Sequence, residues 1–125
     1  MQMILGGGTL GGAHVLKPET VSLMSKNAIG NLTCVPLKTA IPNLSNDVDF
    51  IDGIQWGLSF LINPTALPTG RAPGSLAWAG LANTYYWIDP TRKVAGVFAT
   101  QILPFFDAKA VQACSEFETE VYRAI

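Results

Sequence analysis

The sequence is short of charge. Lys, Arg, Asp and Glu make up 14% of its 125 residues and the formal net charge is −1, so it has no basic face of the kind that neutralises nucleic-acid phosphates or anionic lipid headgroups. Nucleic acid and membrane are excluded as expected partners. Histidine is nearly absent: His14 stands alone and by itself makes neither a histidine-based metal site nor a Ser-His-Asp triad. No metal and no other cofactor is expected. Cysteine is scarce as well. Cys34 and Cys114 have the spacing of neither a metal site nor a redox motif, and they pair only if the fold brings them together. Long apolar runs are missing, because Gly, Pro or polar residues interrupt each one before the roughly twenty residues that span a bilayer. The first residues show no basic region, apolar stretch or cleavage site of a signal sequence.

Apolar residues, by contrast, are plentiful. They form 49% of the chain, enough to bury a core, and the length suits a single unit over residues 1–125. A small soluble surface usually carries about a quarter or more of charged residues. The shortfall here predicts that part of the surface is made for burial.

Along the chain, residues 1–5 read as the last turn of a helix stopped by Gly6, Gly7 and Gly8. A short extended piece follows at 13–16. Residues 18–27 form a second helix, with Pro18 at its first position, Glu19 near the positive end of its dipole and Val21 and Met24 on its apolar side. Residues 31–53 hold two prolines and little periodicity, which predicts a long irregular loop of the kind that covers a site. Ile54, Trp56, Leu58, Phe60 and Ile62 alternate as in a strand. Residues 75–89 read as one long strand, and 93–103 as another covered on both faces, with Gly96 allowing close approach of a neighbour. Pro104 stops it. Asp107 is then the N-cap of a helix whose apolar stripe is Val111, Cys114, Phe117, Val121 and Ile125. The expected fold is α+β: an antiparallel sheet of about three strands, the carboxyl-terminal helix packed on one face and the Pro18 helix at an edge.

Several short patterns have ordinary readings. Gly6, Gly8 and Gly11 match G-x-G-x-x-G, but no strand precedes them and Gly12 and Pro18 leave no room for the helix a dinucleotide site needs. Ser25-Lys26-Asn27 is a solvated helix end, and Lys38-Thr39-Ala40 lies in a loop. Trp56, Trp78, Tyr86 and Trp87 are candidates for an aromatic wall, although aromatics at strand spacing more often belong to a core.

Four other stretches, in order, resemble the end of the serine β-lactamase, penicillin-binding-protein and family VIII esterase superfamily, over nearly the whole chain. Leu16-Lys17-Pro18-Glu19-Thr20-Val21 is similar to a helix start common in these hydrolases, with Lys17 in place of the usual capping serine. Gln55-Trp56-Gly57-Leu58-Ser59-Phe60 resembles the strand before the active-site strand, with Ser59 replacing a glycine. Trp78-Ala79-Gly80, followed by Thr84-Tyr85-Tyr86-Trp87-Ile88-Asp89-Pro90, resembles the third motif and its sequel in esterase-like members, where Trp-Gly-Gly replaces Lys-Thr-Gly. Val97-Phe98-Ala99-Thr100-Gln101 is similar to the strand that closes the family's sheet.

The resemblance implies acyl transfer, in which rigid backbone N–H groups stabilise the oxyanion of a tetrahedral intermediate. By that likeness the Leu81 N–H is an oxyanion donor, Gly80 lets the strand approach the nucleophile, and Trp78 lines the substrate pocket beside Ala79, which departs from the usual glycine. Trp78 in place of a lysine implies esters rather than β-lactams, whose carboxylate a cation holds. The nucleophile itself is lacking. No serine has a lysine three places on, and no tyrosine has an asparagine two places on, so neither Ser-x-x-Lys nor Tyr-x-Asn is present. The expectation is therefore a carboxyl-terminal part of a partial β-lactamase/transpeptidase-like fold, inactive alone. Its partners would be the amino-terminal part of the hydrolase or further copies of itself, with a small ester or amide as substrate of the complete enzyme. The alternative is a non-catalytic binding or interaction module that has kept part of the fold.

Overall fold

The structure, a computed structural model, describes residues 1–51 and 53–125. A short helix α1 (Gln2–Leu5) leads into a two-stranded hairpin, β1 (Thr9–Leu10) and β2 (Ala13–His14), and then helix α2 (Pro18–Met24). The main sheet follows with β3 (Gln55–Trp56), β4 (Leu61–Ile62), β5 (Leu76–Gly80), β6 (Thr84–Asp89) and β7 (Val94–Phe98), and helix α3 (Ala108–Arg123) ends the chain. The five strands lie in chain order, each antiparallel to the next.

Five strands replace the expected three or so because two stretches that read as single strands fold back. In 54–62 the Gly57 amide donates to the Phe60 carbonyl at 2.8 Å, making a tight reversal. A side chain at Gly57 would put its Cβ 2.4 Å from the carbonyl oxygen of Met24, so α2 and the turn meet backbone to backbone. In 75–89 a three-residue turn at 81–83 separates β5 from β6. Asn83 takes a left-handed φ of 56° there, a conformation asparagine tolerates better than most residues. Its amide donates to the carbonyls of Ile102 and Pro104, and its oxygen accepts from Tyr85 Oη and the Asp107 amide. This hub pulls residues 99–107 across the hairpin tip, so β7 ends at Phe98 rather than running on to Leu103.

One sheet face is covered by α1 and α2, with Ile4, Val21, Phe60, Ile62, Leu76 and Ile88 forming a core. The Pro18 helix adds Val21 to this core, and its exit lies beside the edge strand β3, where the Ala28 amide donates to the Trp56 carbonyl at 2.8 Å. The other face carries α3. Trp87, fully buried, lies across Gly96 of β7, and Phe117 of α3 meets its ring edge-on at 5.8 Å. Asp107 caps α3 by accepting from the amides of Lys109 and Ala110.

The face that α3 presents keeps most of its expected stripe, with Val111, Cys114 and Val121 half-buried and Phe117 against Trp87, but is centred a little to one side of it. Its buried residues are Ala110, Glu118 and Tyr122, while Phe117 and Ile125 are exposed. Polar groups set this rotation. Glu118 receives Arg71 through both carboxylate oxygens and Thr69 Oγ1 as well, and Tyr122 Oη donates to Asp89 at 2.9 Å. Asp89 also accepts from the amides of Ala72 and Arg92, each at 2.9 Å. Burial works against its charge, but these donors outweigh it and hold its carboxyl below the usual carboxylate range. Loop 63–75 is stapled to the sheet by the same groups and by Asn63, which binds the carbonyls of Thr65 and Ala72.

Between α2 and β3 the described residues contain no helix or strand, only an isolated bridge from Leu37 to Val48 and another from Ser45 to Phe105. Of the expected loop 31–53, Asp52 lies outside the described residues. The rest is a strap pinned by the Cys34 amide on the Ile54 carbonyl at 2.8 Å and by the Asn46 amide on Phe105 at 2.9 Å. Under it Val48, Ile51 and Leu61 form a second apolar cluster.

Candidate functional site

The backbone of β5 sets the site. Asn63 donates to the Ser75 carbonyl at 3.3 Å across the β4–β5 ladder, and hydrogen-bonding direction alternates along an antiparallel strand. The Ser75 carbonyl and the N–H and C=O groups of Ala77 and Ala79 therefore face the β4 side, and those of Leu76, Trp78 and Gly80 face β6. Strand β4 pairs only with Leu76 and Ala77, and the nearest further carbonyl, of Phe60, is taken by Gly57. The edge of β5 from Ala79 onward is thus open. The same alternation carried one residue into the turn gives the Leu81 amide that direction too.

Trp78 stands at this open edge, 41% exposed, with its indole edge-on to Trp56 at 4.6 Å. Gly80 is glycine for no packing reason: an added Cβ would meet nothing closer than Thr84 Cβ at 3.8 Å. Beside the edge, on the α3 side of the sheet, lies a cleft of about 320 Å³. Ala77 and Ala79 form its floor, with Leu61, Tyr85, Phe106 and Cys114 among its walls. Phe50 of the strap lines it too, stacked on Phe106 at 5.3 Å. Of the four site residues read from the sequence, Trp78 and Ala79 line this cleft, whereas Gly80 at the end of β5 and Leu81 in the turn after it do not.

The thiol and the phenol of the cleft are held in their neutral forms. Burial pushes the Cys114 thiol up to about 11, with the Glu118 charge adding to it, and burial pushes the Tyr85 phenol up to about 12. Arg71 and Glu118, which also line it, are committed to each other. Among the hydrogen bonds of the described residues none joins a serine or cysteine to a lysine or histidine; His14 contacts only Thr9, and Ser75 is buried against Asn63. Nor do three His, Cys, Asp or Glu side chains gather as a metal site requires, among the described residues. Cys34 and Cys114 are both free thiols. What remains is a place to hold an apolar group beside outward backbone donors.

Sequence reading overlooked Arg71, Glu118, Phe50 and Phe106. For Glu118 a signal existed: it stands four residues after Cys114 and four before Tyr122, on an otherwise apolar helix face, where an acid calls for a buried partner. Arg71 and the two phenylalanines lie in irregular segments whose partners no periodicity reveals.

No protein-family model and no curated protein sequence matches the chain. Solved structures do. Simvastatin synthase (LovD) from Aspergillus terreus, unliganded and selenomethionyl, superposes with a TM-score of 0.71 at 20% identity, over 96% of this chain and 31% of that one. Its LovD6 mutant gives 0.73 at 21% identity over 98% and 31%. A penicillin-binding-protein homologue from Caulobacter crescentus gives 0.59 at 17% identity over 94% and 29%. The chain spans about a third of the length of each. At this identity the likeness is one of fold alone, shared with part of each of these proteins.

Proposed function

We propose that this chain is the carboxyl-terminal portion of a β-lactamase-type serine hydrolase, of the esterase-like branch, and that it contributes the oxyanion and substrate-binding side of the active site. The open edge of β5 is the observation that supports this most. It sets outward amides at Ala79 and Leu81 next to the exposed Trp78 and an apolar cleft. In the complete enzyme a serine outside these 125 residues attacks the ester carbonyl, the carbonyl oxygen becomes an oxyanion, and the Leu81 N–H donates to it. Collapse of the intermediate expels the alcohol, and water then hydrolyses the acyl-enzyme. Trp78 and the cleft hold the apolar acyl or alcohol group, and the unneeded glycine at 80 keeps the edge clear for the nucleophile.

The test is hydrolysis of a short-chain chromogenic ester by the purified chain, with a serine-directed phosphonate and intact mass in parallel. The expected result is no turnover and no adduct, with turnover appearing when the chain is joined in frame to a segment bearing Ser-x-x-Lys and Tyr-x-Asn. A single phosphonate adduct on the 125-residue chain would refute the reading, since one of its own serines would then be the nucleophile.

A second reading, a binding module that kept the fold and lost the reaction, draws support from the apolar cleft in which Cys114 and Tyr85 are held neutral. It expects an apolar ester to bind without turnover even in the longer protein.

A further inference from the structure

The cleft beside β5 owes its volume to one row of residues across the sheet. Leu61, Ala77, Trp87 and Gly96 are successive cross-strand partners on β4, β5, β6 and β7, and directly opposed residues of antiparallel strands share a face. The row alternates large and small. The Trp87 indole leans over Gly96, where an added Cβ would lie 2.1 Å from its ring, and so leans away from Ala77 on its other side. The space above Ala77 is left open, and Ala79, opposite Tyr85, extends it. The walls come from this chain too: the strap, loop 63–75, the turn before α3 and α3 itself supply Phe50, Thr69, Phe106 and Cys114.

The chemistry of the lining suits an uncharged aromatic group. Phe50 stacks on Phe106, and Trp78 and Tyr85 add two more rings; ring contacts of this kind gain more than their burial alone. Among the described residues, the charged members of the lining are Arg71 and Glu118. The Glu118 carboxylate already fills the Arg71 fork, through Nε and Nη2. A carboxylate ligand would have to displace Glu118 against its charge, and a cation would meet the charge of Arg71. Either ion would give up its hydration without a free partner, which is costly. An apolar cavity of about 150 Å³ takes one benzene ring. The 320 Å³ here has room for about two fused rings.

We propose that the cleft is an aryl pocket, which takes an uncharged aromatic group of up to two fused rings, and that Ala77 sets its depth. Its part in a reaction rests on the acyl-transfer reading, under which the aryl group belongs to the acyl or alcohol half of the ester. The binding itself does not rest on that reading. A longer aliphatic side chain at 77 rises into the space that Trp87 leaves and excludes the second ring, while Trp87 keeps its place over Gly96.

Titration of the purified chain with 2-acetonaphthone and with 2-naphthoate, followed by amide chemical shifts, tests this. The two share a ring system and differ by a methyl ketone against a carboxylate, and neither has an ester to cleave. The expected result is saturable binding of the ketone, with shifts gathered at Ala77, Ala79, Phe106 and Cys114, and binding of naphthoate weaker by about tenfold or more. Ala77→Leu should weaken ketone binding by about tenfold or more, with an unchanged far-ultraviolet circular dichroism spectrum. No binding of the ketone, equal binding of naphthoate, shifts gathered elsewhere, or a variant that binds as well as the parent overturns the proposal. If Ala77→Leu fails to fold, nuclear Overhauser contacts in the parent chain decide. Contacts from the naphthyl protons to the Ala77 methyl support the pocket, and a bound ring without them overturns it. Failure here leaves the acyl-transfer reading to its own test, because ester turnover by the joined enzyme and ketone binding by this chain are separate measurements.

Discussion

At Gly96 a hydrogen sits where any other residue would place a carbon 2.1 Å from the Trp87 ring. Gly96→Ala is expected to destabilise the chain by about 3 kcal/mol, since a buried indole on a pleated strand has nowhere to move, and urea unfolding reads this directly. Gly80→Ala is the control. With its nearest obstacle at 3.8 Å, it should leave the midpoint within about 1 kcal/mol of the parent. A large loss there would return Gly80 to a packing role and weaken the acyl-transfer reading. Cys114 belongs to this scale as well. A thiol moved from 9.0 to about 11 has on the order of 100-fold less thiolate at a given pH. Alkylation at mild alkaline pH should be slower at Cys114 by that factor in the folded chain than in urea, as peptide mass mapping would show.

The seating of α3 combines its apolar stripe with a buried polar contact. Glu118 and Arg71, with side chains 4% and 14% exposed, join the helix to loop 63–75. Removing one partner strands a buried charge, so Glu118→Gln should cost about 3–5 kcal/mol. Replacing both, as Arg71→Met with Glu118→Leu, should recover much of that loss. A double-mutant cycle by urea unfolding measures the coupling; equal losses for the single and double variants would mean that the pair does not hold the helix. The strands show a limit of sequence reading. The alternation over 54–62 was legible, but the reversal at Gly57 depends on the carbonyl of Met24 standing 2.4 Å from where a Cβ would be. Likewise the break at 81–83 depends on Asn83 finding partners about twenty residues away, in 102–107. Local periodicity contains neither.

For the whole molecule, acid stability should turn on Asp89. Its folded value lies below the ordinary 3.8, so the unfolded state takes up the proton more readily. The stability it contributes is complete above that ordinary value and is lost as pH falls through it toward the lowered native one. The urea midpoint should therefore be flat from neutrality to about pH 5 and decline below about pH 4. Asp89→Asn should start lower and decline less steeply in acid. An acid limb of the same slope in both proteins would assign the loss to other carboxylates.

Composition and pattern determined the fold class of this protein: an apolar chain whose strand and helix periods call for an α+β arrangement. These properties are local or additive, so they can be read in one dimension. Tertiary structure alone decided the number of strands, the polar contact that seats α3, the cleft beneath the strap and the open edge of β5. Each depends on groups far apart in sequence, such as Arg71 with Glu118 and Tyr122 with Asp89. Buried polar groups must find partners wherever the chain brings them, and that requirement is written in space rather than in the order of residues.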